Sequence, residues 1–231
     1  MKLGLIGGLG PESTIDYYKK LVYRYKEKSR ENEFPEIIIE SLNLDKTINC
    51  LLNEKYDWVE DYILKSIKNL YKSGAEFVAI SSNTPHIIFD RLKKKSPIPL
   101  VSIVEETCKE VKRNNAKKVG LLGTIITMEK DFYKDVFRKE GIEIVVPNKE
   151  TRNFINNKIN DELEKGIIRD ETREEITRII KDMIKHNQIE GVILGCTELP
   201  LLYKEREEEF KIYDTVDIHV NSLVDIMVKN I

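Results

Sequence analysis

A cysteine and a serine occupy matching places in two similar loops. Cys196 lies in Ile193-Leu194-Gly195-Cys196-Thr197-Glu198, and Ser82 lies in Ala79-Ile80-Ser81-Ser82-Asn83-Thr84. Each loop follows a short apolar run, where a buried strand hands over to a helix. A cysteine in a core is ordinarily a small apolar filler. A strand-end position, a helix start behind it and a carboxylate two residues on instead suit a thiol that moves protons or attacks carbon. Backbone amides at a helix start are expected to favour the thiolate. Ser82 is the weaker group, because a hydroxyl is a poor base near neutral pH without an activating partner.

Other residues at strand ends could hold a small polar ligand. Gly7-Gly8-Leu9-Gly10-Pro11 opens a helix, and free N–H groups there attract a carboxylate or other small anion. The competing reading is a tight structural turn. A third glycine is missing for a dinucleotide fingerprint, as is the Gly-Lys-Ser/Thr of a P-loop. Asn83 and Thr84 are suited to an α-carboxylate or α-amino group, or to capping the next helix. Lys46, in the polar stretch Ser41–Thr47, is the candidate cation for a side-chain carboxylate and otherwise a solvated lysine. Thr124, Thr197 and Glu198 complete the set. His86 reads as a local hydrogen-bonding group near a helix start. Cys50 and Cys108 fall at apolar helical positions and read as packing.

These loops need a scaffold that repeats. The offset from Ser82 to Cys196 is 114 residues, and that from Lys2-Leu3-Gly4-Leu5-Ile6-Gly7 to Lys118-Val119-Gly120-Leu121-Leu122-Gly123 is 116. Internal similarity at so long a period points to two α/β units related by a pseudo-twofold axis, with one loop from each on opposite walls of a cleft. Strands are expected at 2–7, 36–41, 76–81, 98–102, 117–122, 142–147, 190–195 and 210–213. Helices are expected near 12–28, 54–73, 84–95, 103–114, 127–139, 149–164, 170–187 and 215–230. Near-continuous β-branched runs suit parallel strands covered on both faces. The first domain is expected to span 1–98 and 215–231, and the second 99–214, with a crossover near Pro97-Ile98-Pro99.

The bulk properties exclude several classes. The chain has 231 residues, 41% apolar, with 38 basic and 40 acidic residues and a formal net charge of −2. No basic surplus argues for nucleic acid. No apolar run approaches the ~18 residues of a membrane span. Three cysteines without close spacing argue for a reducing compartment, so a cytoplasmic location is expected, and the scattered histidines add no zinc-ligand pattern.

With these motifs on the page, the chain resembles the aspartate/glutamate racemase family essentially end to end. The carriers are Gly7-Gly8-Leu9-Gly10-Pro11-Glu12-Ser13-Thr14 with Tyr17-Tyr18, Asn83-Thr84-Pro85-His86, Gly120-Leu121-Leu122-Gly123-Thr124 and Gly195-Cys196-Thr197-Glu198. The resemblance implies two similar flavodoxin-like domains with parallel sheets and an active site in the cleft between them. It also implies homodimers and no cofactor. In the family both loops carry cysteine, and the two thiols work on opposite faces of Cα. Here Cys196 matches the second cysteine and Ser82 stands in place of the first. In relatives with one cysteine and a hydroxyl opposite, this implies a bias towards one enantiomer. Lys46 stands where the family often has arginine, and Glu164 aligns with a frequent lysine, with Lys165 as a possible replacement. The implied function is a cofactor-independent racemase or epimerase acting on aspartate, glutamate or a related amino acid, with Cys196 as main acid/base. The alternatives are a one-cysteine enzyme such as an arylmalonate-type decarboxylase, or a small-molecule binder with weak catalysis.

Overall fold

The computed structural model describes residues 1–30, 32–204 and 206–229. Eight strands form two four-stranded sheets, every pairing parallel. The first contains β1 (Leu3–Gly7), β2 (Ile37–Ser41), β3 (Phe77–Ile80) and β4 (Leu100–Val101), in the order β2-β1-β3-β4. The second contains β5 (Lys118–Leu122), β6 (Glu143–Val145), β7 (Val192–Leu194) and β8 (Ile212–Asp214), in the order β6-β5-β7-β8. The two orders are the same once each sheet's strands are counted from its own start, which is the repeat legible in the sequence. Eight strands were expected, and each has a counterpart.

The helices are α1 (Pro11–Lys28), α2 (Leu44–Leu52), α3 (Tyr56–Lys72), α4 (Phe89–Lys95), α5 (Ile103–Arg113), α6 (Ile125–Glu129), α7 (Phe132–Lys139), α8 (Lys149–Asp161), α9 (Asp170–Asn187) and α10 (Thr215–Val228). The expected last helix ran to 230; residue 230 lies outside the described residues, as does 231 of the expected first domain. None of the described helices is long and apolar enough to cross a membrane.

The chain divides into two compact units, Met1–Glu106 with Val216–Ile231 and Thr107–Thr215. The break falls inside α5 rather than near Pro97-Ile98-Pro99. The physical reason is β4, whose Leu100 and Val101 pair with Val78 and Ala79 of β3 and keep the chain in the first sheet.

In the first unit, α1 buries Ser13, Tyr17, Leu21 and Tyr25, a four-residue repeat that lays one stripe on the sheet. Pro11 starts this helix where its missing N–H costs nothing. The stripe meets Leu3, Leu5 and Phe77 of the strands and Val220, Leu223 and Val224 of α10. Burying each such side chain stabilises the fold by roughly 1.5–3 kcal/mol. Polar contacts fix α10 on α1: Arg24 reaches Asp217 at 2.8 Å, and the Tyr17 hydroxyl meets His219 Nδ1 at 2.9 Å inside the core. In the second unit, α9 buries Thr172, Ile176, Ile180 and Met183 against a core that includes Leu122, Leu163 and Leu194. Gln188, in a left-handed conformation (φ 58°), ends α9 before β7.

Candidate active site

All the candidate residues except Lys46 sit in loops or turns that follow strands, where open parallel sheets bind ligands. In the first unit the turn after β1 is locked on both sides. Gly7 O accepts from Leu42 N at 2.9 Å beside the end of β2, and Ser13 Oγ donates to Ser81 O at 2.8 Å after β3. Gly8 has φ +74°, and a Cβ there would stand 2.3 Å from Leu42 O, so only glycine fits. Its N–H is donated to Thr14 Oγ1 at 2.9 Å. Among the described residues the amides of Leu9 and Gly10 meet no protein acceptor. The turn is thus structural at Gly8, with donors remaining at Leu9 and Gly10.

Lys46 lies in the first turn of α2, not in a loop. Asn43 caps that helix, its Oδ1 accepting from Lys46 N at 2.9 Å. The expected loop over Ser41–Thr47 is corrected accordingly. Asn43, an N-cap residue type, was the available signal, hidden by the shortness of the helix. The Lys46 side chain is exposed and makes no ion pair among the described residues.

After β3, Ser82 is half-buried, while Asn83 and Thr84 are buried at the start of the 3-10 turn Thr84–Ile88. Asn83 makes no side-chain cap to that turn. Behind it, His86 is buried, its Nδ1 3.0 Å from Ser82 O and its Nε2 3.3 Å from Ile103 N. This bears out its reading as a local hydrogen-bonding group. Burial pulls His86 down to about 3, and it does the same to His219. Both rings are therefore neutral in the folded state near neutral pH. The unfolded chain takes up protons near pH 6.5 and the folded one does not, so stability is full above that value and falls as pH drops toward 3. Each ring should contribute about 1.4 kcal/mol per pH unit over that window. Unfolding at pH 5.5 should take up about two protons from these rings, measurable by calorimetry in buffers of different ionisation enthalpy; uptake near zero would contradict neutral burial.

In the second unit the loops after β5 and β7 touch backbone to backbone. A Cβ on Gly123 would lie 2.9 Å from Gly195 O, and Gly195 N donates to Leu122 O at 2.6 Å. Thr124 caps α6, its hydroxyl accepting from Thr127 N at 3.3 Å, so its oxygen already has a structural duty.

Cys196 is buried, 5% exposed, against Leu122, Met128 and Leu199. Its Sγ donates to Glu198 Oε2 at 3.0 Å, and the same oxygen accepts from Thr197 Oγ1 at 2.8 Å. Burial, followed by the charge and acceptor of Glu198, pushes the thiol well above its usual range. The expected amide effect is present but outweighed, since the Glu198 backbone bond pulls the other way. Burial and Glu198 together therefore favour the thiol over the thiolate. Glu164 is drawn into the same field. Burial and then Glu198 raise its carboxyl, and Glu164 in turn raises Cys196. Sequence spacing placed Glu164 at a departure from the family pattern without showing this proximity. Lys165 pairs with Asp161 at 4.0 Å, on the exposed side. Cys108 is buried in α5 and pushed up to about 11 by burial, consistent with packing. Among the described residues no cluster of three or more His, Cys, Asp or Glu is placed to hold a metal ion.

Two parallel α/β units of identical strand order each carry a hydroxyl- or thiol-bearing loop at the same strand end, and the family match makes the protein an isomerase of the amino-acid racemase class. The chain belongs to the Asp/Glu/hydantoin racemase family, whose model matches residues 6–223. It is 25% identical over 221 residues to the broad specificity amino-acid racemase RacX of Bacillus subtilis (strain 168), covering 92% of each chain. Among solved structures it resembles PH1733, an aspartate racemase homologue from Pyrococcus horikoshii OT3, with TM-score 0.86, 37% identity and 99% of each chain covered. It also resembles a putative Asp/Glu racemase from Yersinia pestis, with TM-score 0.89, 30% identity and 99% of each chain covered.

Proposed function

We propose that this protein racemises or epimerises a free amino acid without a cofactor, by taking the Cα proton and returning it, with Cys196 as the main acid/base. The observation that carries this reading is the Cys196 Sγ to Glu198 Oε2 hydrogen bond of 3.0 Å. A buried thiol that donates to a neighbouring carboxylate has a local group to which its proton can pass and from which it can return. Glu198 accepts the thiol proton as the thiolate takes the Cα proton, and the reverse transfer makes Cys196 the acid. Thr197 holds the Glu198 oxygen in line. The carbanion that forms beside a carboxylate needs fixed donors, and the Leu9 and Gly10 amides with Asn83, Thr84 and Thr124 are suited to that duty. Ser82 serves the other face of Cα as the weaker partner.

Aspartate, glutamate or a related amino acid is the substrate class, and Lys46, exposed and without an ion pair among the described residues, is the group that would grip a side-chain carboxylate. The resemblance to a broad specificity racemase supports a range of side chains rather than one. We place the enzyme in the cytoplasm as a homodimer. Three free cysteines support the reducing compartment, and exposed Ile15 and Tyr18, three apart on α1, support self-association. A second reading has one specific support: a hydroxyl in place of a thiol at 82 suits one-sided proton delivery, as in an arylmalonate-type decarboxylase.

The test is a screen of amino acids in deuterated water, with mass and chiral analysis of the recovered substrate. Deuterium at Cα with inversion is expected for at least one acidic amino acid. The same screen on Ser82→Cys should make the D and L substrates exchange at more equal rates, because a thiol with a reference pKa of about 8.5 is a far better base than serine. A parent that binds amino acids but exchanges none would leave only a binder. An unchanged D to L ratio in the variant would remove Ser82 from the mechanism.

A further inference from the structure

The buried imidazole of His86 has both ring nitrogens occupied, and the pattern fixes its tautomer. Ile103 N–H can only donate, so His86 Nε2, 3.3 Å away, is the accepting nitrogen. The ring proton of the neutral imidazole then sits on Nδ1, which donates to Ser82 O at 3.0 Å. Phe89 lies flat against the ring, centroids 4.9 Å apart and planes 10° apart, and holds its orientation. Ile103 is the first residue of α5, and the first amides of a helix lack partners within it. His86 therefore ties the carbonyl that closes the β3 loop to the start of a helix that follows β4. The backbone supports the same turn, since His86 N donates to Asn83 O at 3.0 Å.

We propose that His86 is a positioning residue that clamps the Ser82 carbonyl, and through the planar Ser82–Asn83 peptide sets the direction in which the Ser82–Asn83–Thr84 loop presents its groups to substrate. The proposal deepens the racemase reading and rests on it for its catalytic consequence. The Ser82 carbonyl cannot turn without rotating the whole peptide unit, because the C–N bond is planar. A loop that swings by even about 1 Å loses the alignment on which proton transfer depends. Burial keeps the ring neutral, at about 3, so the donor–acceptor pattern does not change near neutral pH.

The two hydrogen bonds can be separated by substitution. His86→Asn places an amide near the Nδ1 position and can still donate to Ser82 O, but it cannot reach Ile103 N. His86→Gln places an amide oxygen near the Nε2 position and can still accept from Ile103 N, but it cannot hold Ser82 O. Each variant leaves one buried group unpaired, so both should lose thermal stability to a similar degree. Only His86→Gln should lose turnover, by roughly 10- to 100-fold in kcat with KM changed little, while His86→Asn stays within about threefold of the parent. A second readout does not depend on turnover. Amide hydrogen exchange in the peptide covering 81–88 should speed up in His86→Gln at least tenfold and remain near the parent rate in His86→Asn. Equal losses of kcat, or equal exchange rates in the two variants, would overturn the clamp and leave His86 a packing residue. A parent without Cα exchange for any amino acid would sink the racemase reading, and amide exchange would still decide the clamp.

Discussion

Cys196→Ala should lower Cα exchange and racemisation by about two to four orders of magnitude, the usual range for removing one acid/base group. The fold should survive. Alanine keeps the apolar contacts of Cβ, and Glu198 Oε2 retains its bond from Thr197 Oγ1, so the carboxylate is not left without a donor. A circular dichroism melt separates the two effects: a midpoint near the parent's with turnover gone is the expected pair of results. Near-normal activity in a folded variant would remove the acid/base assignment. Deuterium exchange at Cα that persists while inversion is lost would instead mean that another group works on one face.

Glu198→Gln should be nearly as damaging, for a different reason. Glutamine keeps the shape and an acceptor oxygen but cannot take a proton. The thiol then has no neighbouring group that can take its proton during turnover. Turnover should fall by about two to four orders of magnitude. Reactivity towards a small alkylating agent gives the opposite sign. Glu198 is the second largest cause of the raised thiol, after burial. Removing its charge should let the thiol titrate lower and react faster at pH 8 than in the parent. The combination of slower turnover and faster alkylation is distinctive. Slower alkylation would mean that Glu198 activates the thiol as a static anion-orienting group, and unchanged turnover would exclude it as the proton acceptor.

The sequence carried the scaffold because parallel strands buried on both faces are written as short unbroken apolar runs. Val119-Gly120-Leu121-Leu122 and Val192-Ile193-Leu194 leave little else to be. The same logic placed Gly8–Gly10, Ser82–Thr84, Thr124 and Cys196–Glu198 beyond strand ends, and a period near 115 residues exposed the doubling. The sequence also showed where the chain departs from its family, at Ser82 and Glu164. It did not show α2, a nine-residue helix with a polar first turn whose only marker is the Asn43 cap. It placed the crossing point too early because two residues of β4, preceded by Pro97 and Pro99, look like the start of something new and in fact finish the first sheet. Above all it did not show what outweighs the helix-start amides at Cys196. A spacing of two residues cannot tell whether a glutamate side chain turns toward a thiol or away, nor how much water remains between them. In the folded chain the carboxylate stands 3.0 Å from the sulfur in an apolar surround, and burial and like charge together keep the proton on sulfur. His86 follows the same division. Its residue type and loop position were visible, but the partners of its two nitrogens lie 4 and 17 residues away, and only the packing of α5 behind the loop brings the second within reach.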